Sequence, residues 1–568
     1  MDIPPLEGLD EFVETTLANH ALDWCCCNGL NMRRTGGRKA GFVHVPVSLL
    51  PARLPRESFA LVEPLAGSWN ELVHVLTRTP EGVAWLHATI ESVVGSDPFT
   101  RRLYDVAQRV AALRDARAAA ADATLTLPPH ESLALFIFRS DYMLHQPECS
   151  EGAAPALLQV ELNTISCSFA TLSHLTSNLH RSLVALAEEQ GVGALLDAQY
   201  GCEAAASPEA AREALPMNGA PKGIASALIA AHRAYLACSA VAAEASAQLP
   251  VAVVFLVQGE ETNVGDQRPI EYLLRGAAPS IEVLRLTLGE LDAASAGCAD
   301  APIGSPLLLR PGTGAGAVRR AYEVSVVYFR AGYTPDDYGT NEADAAEWRA
   351  RFTLEKSRCV ACPDINTHLA GAKRVQQALA TAVNSSDADD AAAQAPLLPP
   401  RALELCHALK AHFAAQFQLP PCNAAGRAAV EDALANPARW VIKPQREGGG
   451  NNTYNEEVRT LLETTSDTDL AAYVLMQRIM PRSAPTWLMR DGEVIKGDAT
   501  QELGMYAVAL AVPDELRASG VSDAGLGWQP ECSGLGVHIG HLLRTKFLGV
   551  DEGGVASGYA CLDSPYLV

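Results

Sequence analysis

The hydrophobic and polar positions divide this chain into stretches of different texture. The first part reads as helical: Ala107 to Ala121, alanine-rich with Arg114 and Arg117 spaced through it, is a strong helix former. Two short apolar runs follow, Leu135 to Phe138 and Leu157 to Glu161, and predict strands. Each ends in polar residues, Arg139-Ser140-Asp141-Tyr142 and Glu161-Leu162-Asn163-Thr164-Ile165-Ser166, and functional groups often sit at strand ends. Gly201 to Gly223 is rich in Ala, Pro and Gly and reads as a linker. From Val251 the texture becomes strand, helix, strand: Val251–Val257, Arg268–Arg275 and Ile281–Leu286, then Leu307–Leu309 and Glu323–Phe329. This pattern predicts a small α/β subdomain.

Gly312 to Ala317 mimics a dinucleotide-binding fingerprint but leaves no room for the required helix before the next strand, so a hairpin turn is expected. Asn384 to Pro400 is of low complexity and predicts a surface loop. Further on, Trp440–Ile442 and Tyr473–Ile479 predict strands, and Trp487–Lys496 predicts a hairpin turning at Asp491-Gly492. Asp514 to Ser533, glycine-rich and polar, predicts a mobile loop, and no repeat of 20–50 residues is visible.

Composition narrows the picture. A chain of 568 residues has room for about three to four domains. Hydrophobic content of 48% with 19% charged residues is globular. The net charge of −22 argues against nucleic acid as the main partner. The 14 cysteines, including the adjacent Cys25-Cys26-Cys27, form no small disulfide framework and suggest free thiols in a reducing compartment. Cys359 and Cys362 have C-x-x-C spacing without a second pair, so structural thiols are expected before zinc. Met1 to Asp10 resembles neither a secretory signal nor a transit peptide, and no apolar run approaches the roughly 18 residues of a membrane span. A cytoplasmic location is expected, with a plastid left open.

The chemistry concentrates in Lys443-Pro444-Gln445-Arg446-Glu447-Gly448-Gly449-Gly450-Asn451-Asn452. Glycines let backbone N–H groups wrap phosphate oxygens, Lys443 and Arg446 supply positive charge, and Glu447 offers hard oxygen to Mg²⁺. A solvated surface turn is the plain alternative. Glu161 and Asn163, two apart in an extended segment, face one side and suit a divalent cation, or are an exposed strand end. Ser166 and Ser168 continue that alternation, or are a plain serine-rich loop. Arg139 and Arg330 follow apolar strands and suit a carboxylate ligand, or are ordinary surface arginines. Glu261 to Gln267 would open at the end of a strand, and Arg544-Thr545-Lys546 suits an anion or a basic turn. His538 and His541 suggest packing or surface groups rather than ligands. The P-loop, H-E-x-x-H and G-x-S-x-G patterns do not occur.

Together these runs resemble one family, eukaryotic-type glutathione synthetase. The resemblance rests on Arg139-Ser140-Asp141-Tyr142-Met143, Glu161 to Ser166, Asp266-Gln267-Arg268, Tyr328-Phe329-Arg330-Ala331-Gly332-Tyr333, Cys362-Pro363-Asp364-Ile365, Leu369 to Lys373, the 443–452 run, Glu502-Leu503-Gly504 and His541 to Lys546. These occur in the family's order across about residues 50–568. The resemblance implies an α/β class with an ATP-grasp fold, a smaller parallel-sheet substrate subdomain and a glycine-rich lid. Its divisions are 1–248, 249–371 and 372–568, with the lid at about 436–480. It also implies a homodimer, ATP as co-substrate and two Mg²⁺ per subunit, with γ-glutamylcysteine joined to glycine through an acyl phosphate.

By resemblance, Glu161, Asn163 and Glu447 are metal ligands. Met143, Lys373, Lys443, Gly448, Gly449, Gly450, Asn452, Tyr454, Met476, Gln477, Ile479, Glu502 and Lys546 form the ATP site. Arg139, Ser166, Ser168, Glu261, Asn263, Gln267, Arg330, Tyr333, Arg544, Val555 and Ala556 form the substrate site. Arg139, Lys443, Gly449 and Arg544 serve catalysis. The chain departs from the family at Gln477, where Glu is usual, and at Thr262, where Arg is usual, and segments 384–400 and 511–532 resemble insertions. Small residues at Ala556-Ser557 imply glycine as the amine. Alternatives are a homoglutathione-type ligase using β-alanine or serine, a non-catalytic nucleotide-binding relative, and an NAD-linked dehydrogenase resting on the 312–317 glycines alone.

Overall fold

A computed structural model describes residues 9–120, 133–146, 155–192, 213–238, 249–310, 320–339, 345–384, 397–446, 450–518, 536–555 and 558–568. The main sheet has seven strands in the order Ala484–Arg490, Val47–Ser48, Cys561–Asp563, Val537–Phe547, Glu493–Ala511, Ala134–His145 and Ala156–Asn163. Ala484–Arg490 also pairs with Glu493–Ala511, so this part of the sheet closes on itself. A second sheet runs parallel through Val360–Cys362, Tyr322–Phe329, Val251–Leu256 and Glu282–Leu286. A third, antiparallel, joins Gln416–Gln418, Tyr473–Gln477, Trp440–Pro444 and Thr453–Tyr454.

The continuous apolar runs have a direct cause. Along Ala134–His145, Leu135 and Ile137 enter one core while Ala134, Phe136 and Phe138 enter another. Val251–Leu256 divides the same way, Val253 and Phe255 against Val254 and Leu256. Both faces are covered, so neither strand can alternate apolar with polar. One core is closed by helices Ala170–Glu189 and Ala220–Ala237, the other by Arg56–Arg78, Pro80–Val94 and Pro98–Ala120. Truncating a large buried side chain in such a layer to Ala costs about 2–5 kcal/mol.

Several expectations shift in detail. The strand beginning at Ala134 does not stop at Phe138 but runs to His145, so Arg139 and Asp141 lie inside it. Their charges are tolerated there because Asp141 pairs with both Arg139 and Arg544. The Asp491-Gly492 turn holds, with both residues at positive φ (51° and 82°). Of the 201–223 linker, residues 201–212 lie outside the described residues, and the rest ends in the first turn of helix Ala220–Ala237, with a proline at its start. Asp514–Ala518 is a short helix rather than loop. Leu308–Leu309 pairs antiparallel with Tyr322 and Glu323, as a hairpin requires. The 312–317 turn, most of the 384–400 segment and residues 519–532 lie outside the described residues. Cys362 is buried and Cys359 partly buried, both as free thiols. His541 packs edge-on against Phe59, ring centroids 5.5 Å apart. No described helix is long and apolar enough to cross a membrane.

Candidate active site

Strand pairing brings the charged residues together. Arg139 lies opposite Asn163 on one neighbour and Tyr506 on the other, and Asp141 lies opposite Glu161 and Gly504. Glu502 lies opposite Arg544, and Thr500 opposite Lys546. Because side chains alternate, all of these project to one face. The intervening Tyr142, Leu503, Met505 and Leu543 pack on the other face against Phe59 and Val62 of helix Arg56–Arg78. The resulting polar face floors a cavity of about 600 Å³.

The carboxyl ends of two strands of the parallel sheet supply one wall. Gln258 and Glu261 follow Val251–Leu256, while Arg330 and Tyr333 follow Tyr322–Phe329. The third sheet supplies the other wall, with Val441, Lys443, Tyr454, Met476, Gln477 and Ile479. Its apolar patch, Val441, Met476 and Ile479, packs with Leu158, Ala414, Met143 and Val160.

Asp141 organises the floor. It is fully buried and takes a fork from Arg139 at 2.7 and 2.8 Å, the Asn163 amide at 3.0 Å and Arg544 at 3.0 Å. Arg544 also pairs with Glu502. Gly504 makes room for this cluster: a Cβ there would stand 2.6 Å from Asp141 Oδ1 and 2.9 Å from Arg139 Cδ. Asp266 does the same on the wall. It is fully buried, binds Arg330 at 2.7 Å and accepts the backbone N–H groups of Phe169 and Thr171 at 2.8 Å.

At the opposite end Lys373 pairs with Glu161 at 2.9 Å, and Lys443 donates to the Val160 carbonyl at 2.9 Å. Burial alone would raise the Glu161 carboxyl, but Lys373, Lys443 and Arg544 together hold it well below the usual carboxylate range. Burial draws the Lys443 and Lys546 ammonium groups below their ordinary values, against the pull of nearby carboxylates. Burial also raises Glu502, with Arg544 opposing.

The polar atoms left unpartnered here are informative. Arg330 Nε and Nη1 and Asn263 Oδ1 are buried in the cavity wall without a hydrogen-bond partner. A buried guanidinium N–H without an acceptor is costly, so the cavity is built for an anionic or carbonyl ligand at that end.

The matches to known proteins agree with this geometry. The family model described as eukaryotic glutathione synthase, ATP binding domain, matches residues 11–567. This chain belongs to the eukaryotic glutathione synthase family. It is 34% identical to the chloroplastic glutathione synthetase of Solanum lycopersicum, over 99% of this chain and 85% of that one. It is 31% identical to the glutathione synthetases of Dictyostelium discoideum (97% of this chain, 98% of that one) and Homo sapiens (97% and 96%). A solved structure described as a glutathione synthetase-like effector of Globodera pallida, in its apo form, covers all of both chains at TM-score 0.59 and 17% identity, and so shares the fold.

Of the family positions expected from sequence, the described ones line this cavity, except Gly450, which sits beside it at positive φ near Tyr559. Glu447, Gly448, Gly449 and Ala556 lie outside the described residues. Sequence reasoning assigned no role to Asp141, Asp266, Asp551 or Glu552. Asp141 and Asp266 stood within the motif runs but carried no signal of burial. Asp551 pairs with Arg478 and accepts from Asn455 at 2.9 Å, and Glu552 accepts from the Asn452 N–H at 3.2 Å. These contacts join the third sheet to the loop leading to Val555, and they lie in a stretch without a recognisable motif.

Proposed function

We propose that this chain joins γ-glutamylcysteine to glycine with ATP, releasing glutathione, ADP and phosphate. The observation that carries this reading is the two-ended cavity. Lys373, Lys443 and Lys546 stand near the apolar slot of Met143, Val441, Met476 and Ile479, while Arg139, Arg330 and Arg544 are held by buried aspartates at the other end. The lysine end suits a nucleotide triphosphate and the slot its adenine. The arginine end, with Arg330 and Asn263 still offering unpartnered atoms, suits an amino-acid-like carboxylate substrate together with Ser166, Ser168, Glu261, Gln267 and Tyr333.

A carboxylate is a poor acyl donor. In the proposed sequence, the γ-phosphoryl group passes from ATP to the cysteinyl carboxylate, breaking the P–O bond to ADP and forming an acyl phosphate. The glycine amine then attacks the carbonyl carbon, loses a proton, and phosphate leaves with the C–O electron pair. No protein nucleophile is required. The work of the side chains is to hold both reactants and to place cations where negative charge develops, with Arg139, Lys443 and Arg544 around the reacting groups. A lid at about 436–480, with Gly449 at its loop, would exclude water from the acyl phosphate. This reading carries with it the ATP-grasp description and the divisions 1–248, 249–371 and 372–568. It also includes a homodimer.

The residues fit Mg²⁺. Asn163 spends its Nδ2 on Asp141 and the Arg139 carbonyl, which leaves its Oδ1 available beside the Glu161 carboxylate. Mg²⁺ takes one or two such protein oxygens and completes its shell with water and substrate phosphates. Glu161, Asn163 and Glu447 would hold it, and it would neutralise phosphate charge.

The test is ADP release by the purified chain with Mg-ATP, γ-glutamylcysteine and one amine at a time. Glycine-dependent turnover is expected. No turnover above the minus-amine control overturns the reading, and a higher kcat/KM for β-alanine or serine makes it a homoglutathione-type ligase instead.

A further inference from the structure

A second, smaller cavity shares no lining residue with the first. It measures about 40 Å³ and opens between the last turn of helix Arg56–Arg78, helix Pro98–Ala120 and the segment from Leu354 to Asp364. That is room for about three waters or one small anion. In a chain of net charge −22, its lining carries four cations, Arg78, Arg114, Lys356 and Arg358, against two carboxylates, Glu355 and Asp364. Arg351 stands just behind, fully buried, 3.0 Å from Glu355.

The carboxylates near this crevice are already committed. Asp364 pairs with Arg78 and also caps helix Ile365–Ala370 by accepting the Thr367 N–H at 2.9 Å. Glu355 Oε1 lies 3.0 Å from Arg351 as an ion pair without a hydrogen bond, and Glu323 takes Arg358 at 2.9 Å. Lys356 Nζ donates to the carbonyls of Ala299 and Ala301, which do not cancel its charge. Among the described residues Arg114 has no ion-pair partner. Five cations therefore face three carboxylates. In addition, the Nε–H groups of Arg78 and Arg114 are both buried without an acceptor. Burial, then the neighbouring Arg114, draws the Arg78 guanidinium down to about 10.

We propose that this crevice binds a small tetrahedral oxyanion of the phosphate or sulfate class between Arg78 and Arg114. Water would satisfy the two N–H groups but leave the excess charge in place, whereas a dianion answers both. The site is also placed to be felt elsewhere: Asp364 caps the short helix that leads, three residues past its end, to Lys373 in the main cavity. The inference does not depend on the ligase reading.

The experiment uses the full chain and inorganic phosphate or sulfate, with chloride at matched ionic strength as reference. Each oxyanion should raise Tm above the chloride value. Arg114→Gln, which removes a partly exposed side chain with no ion pair, should weaken the apparent affinity about ten-fold, as expected for one charge-assisted hydrogen bond. Lys443→Met, which disables the main cavity's phosphate end, should keep the effect. Crystals soaked with selenate should show an anomalous peak in the crevice. A Tm gain equal in Arg114→Gln and wild type, or lost in Lys443→Met alone, overturns the proposal. No gain over chloride also overturns it and leaves the crevice to water. If Arg114→Gln does not fold, Arg114→Lys together with the selenate map decides, and no peak there refutes the site.

Discussion

At Asp141 a single carboxylate holds two arginines and an amide without any access to solvent. Burial works against the charged forms of Arg139 and Arg544, but Asp141 at Arg139, and Glu502 then Asp141 at Arg544, outweigh it and keep both cationic. Asp141→Asn keeps the shape and deletes the charge. Arg139 would then lack its buried counter-ion and Arg544 would keep only Glu502, a defect worth about 3–5 kcal/mol. Thermal denaturation should show a lower Tm. At a temperature where the variant is still folded by circular dichroism, kcat/KM should fall about 10²-fold, because misplaced cations no longer meet the developing charge. A variant with wild-type kcat/KM would show that Asp141 does not position the arginines.

Among the elements, strand Glu493–Ala511 does the most to assemble the site, since it pairs with three others and sets their register. A slip of one residue would turn Glu502 and Gly504 into the core and Leu503 and Met505 into the cavity. The third sheet is held differently. It has its own small core around Leu419, Trp440, Ile442 and Leu475, and part of its attachment to the terminal loop is polar. Arg478 is one such link, pairing with Asp551, donating to Asn455 at 2.9 Å and lying over the Tyr454 ring at 5.4 Å. Arg478→Ala should raise KM for ATP about five-fold with a smaller change in kcat, since a partly exposed pair contributes about 1 kcal/mol. Initial rates against ATP at low and high salt check this; if the link matters, added salt should narrow the gap between variant and wild type.

On the scale of the whole molecule, the two ends of the chain are woven together. Val47 pairs in parallel with Leu562, and Ala52–Leu54 with Pro565–Leu567. At this seam Asp563 accepts from Thr545 at 2.6 Å, Ser564 N at 2.7 Å and Ala52 N at 3.2 Å, while His180 Nδ1 lies 2.6 Å from Ser564 Oγ. Burial pushes Asp563 up to about 7 despite these hydrogen bonds, and it pulls His180 down to about 4. The two act in opposite directions. The Asp563 contribution is complete below its unfolded value of 3.8 and is lost as pH rises through 7. The His180 contribution is complete above 6.5 and is lost as pH falls through 4. Asp563→Asn removes only the first. Its unfolding free energy relative to wild type should therefore improve from pH 4 to 7, by up to about 4 kcal/mol. Urea unfolding at several pH values measures this, and a difference independent of pH would place the Asp563 proton elsewhere.

Local chemistry was legible in the chain itself. The Asp491-Gly492 turn needs φ values that Asp and Gly tolerate, and the apolar runs at 135–138 and 251–257 are long enough to require cover on both faces. The motif runs likewise carried the resemblance to the family, and through that resemblance most residues of the cavity. The tertiary structure alone decided that the strand continues through Arg139 and Asp141, that Gly504 is the clearance opposite Asp141, and that Asp266 lies behind Arg330. It alone also set residues near 47 beside residues near 562. A strand's register and the burial of a carboxylate depend on partners hundreds of residues away, and no local pattern of side chains records which partner that will be.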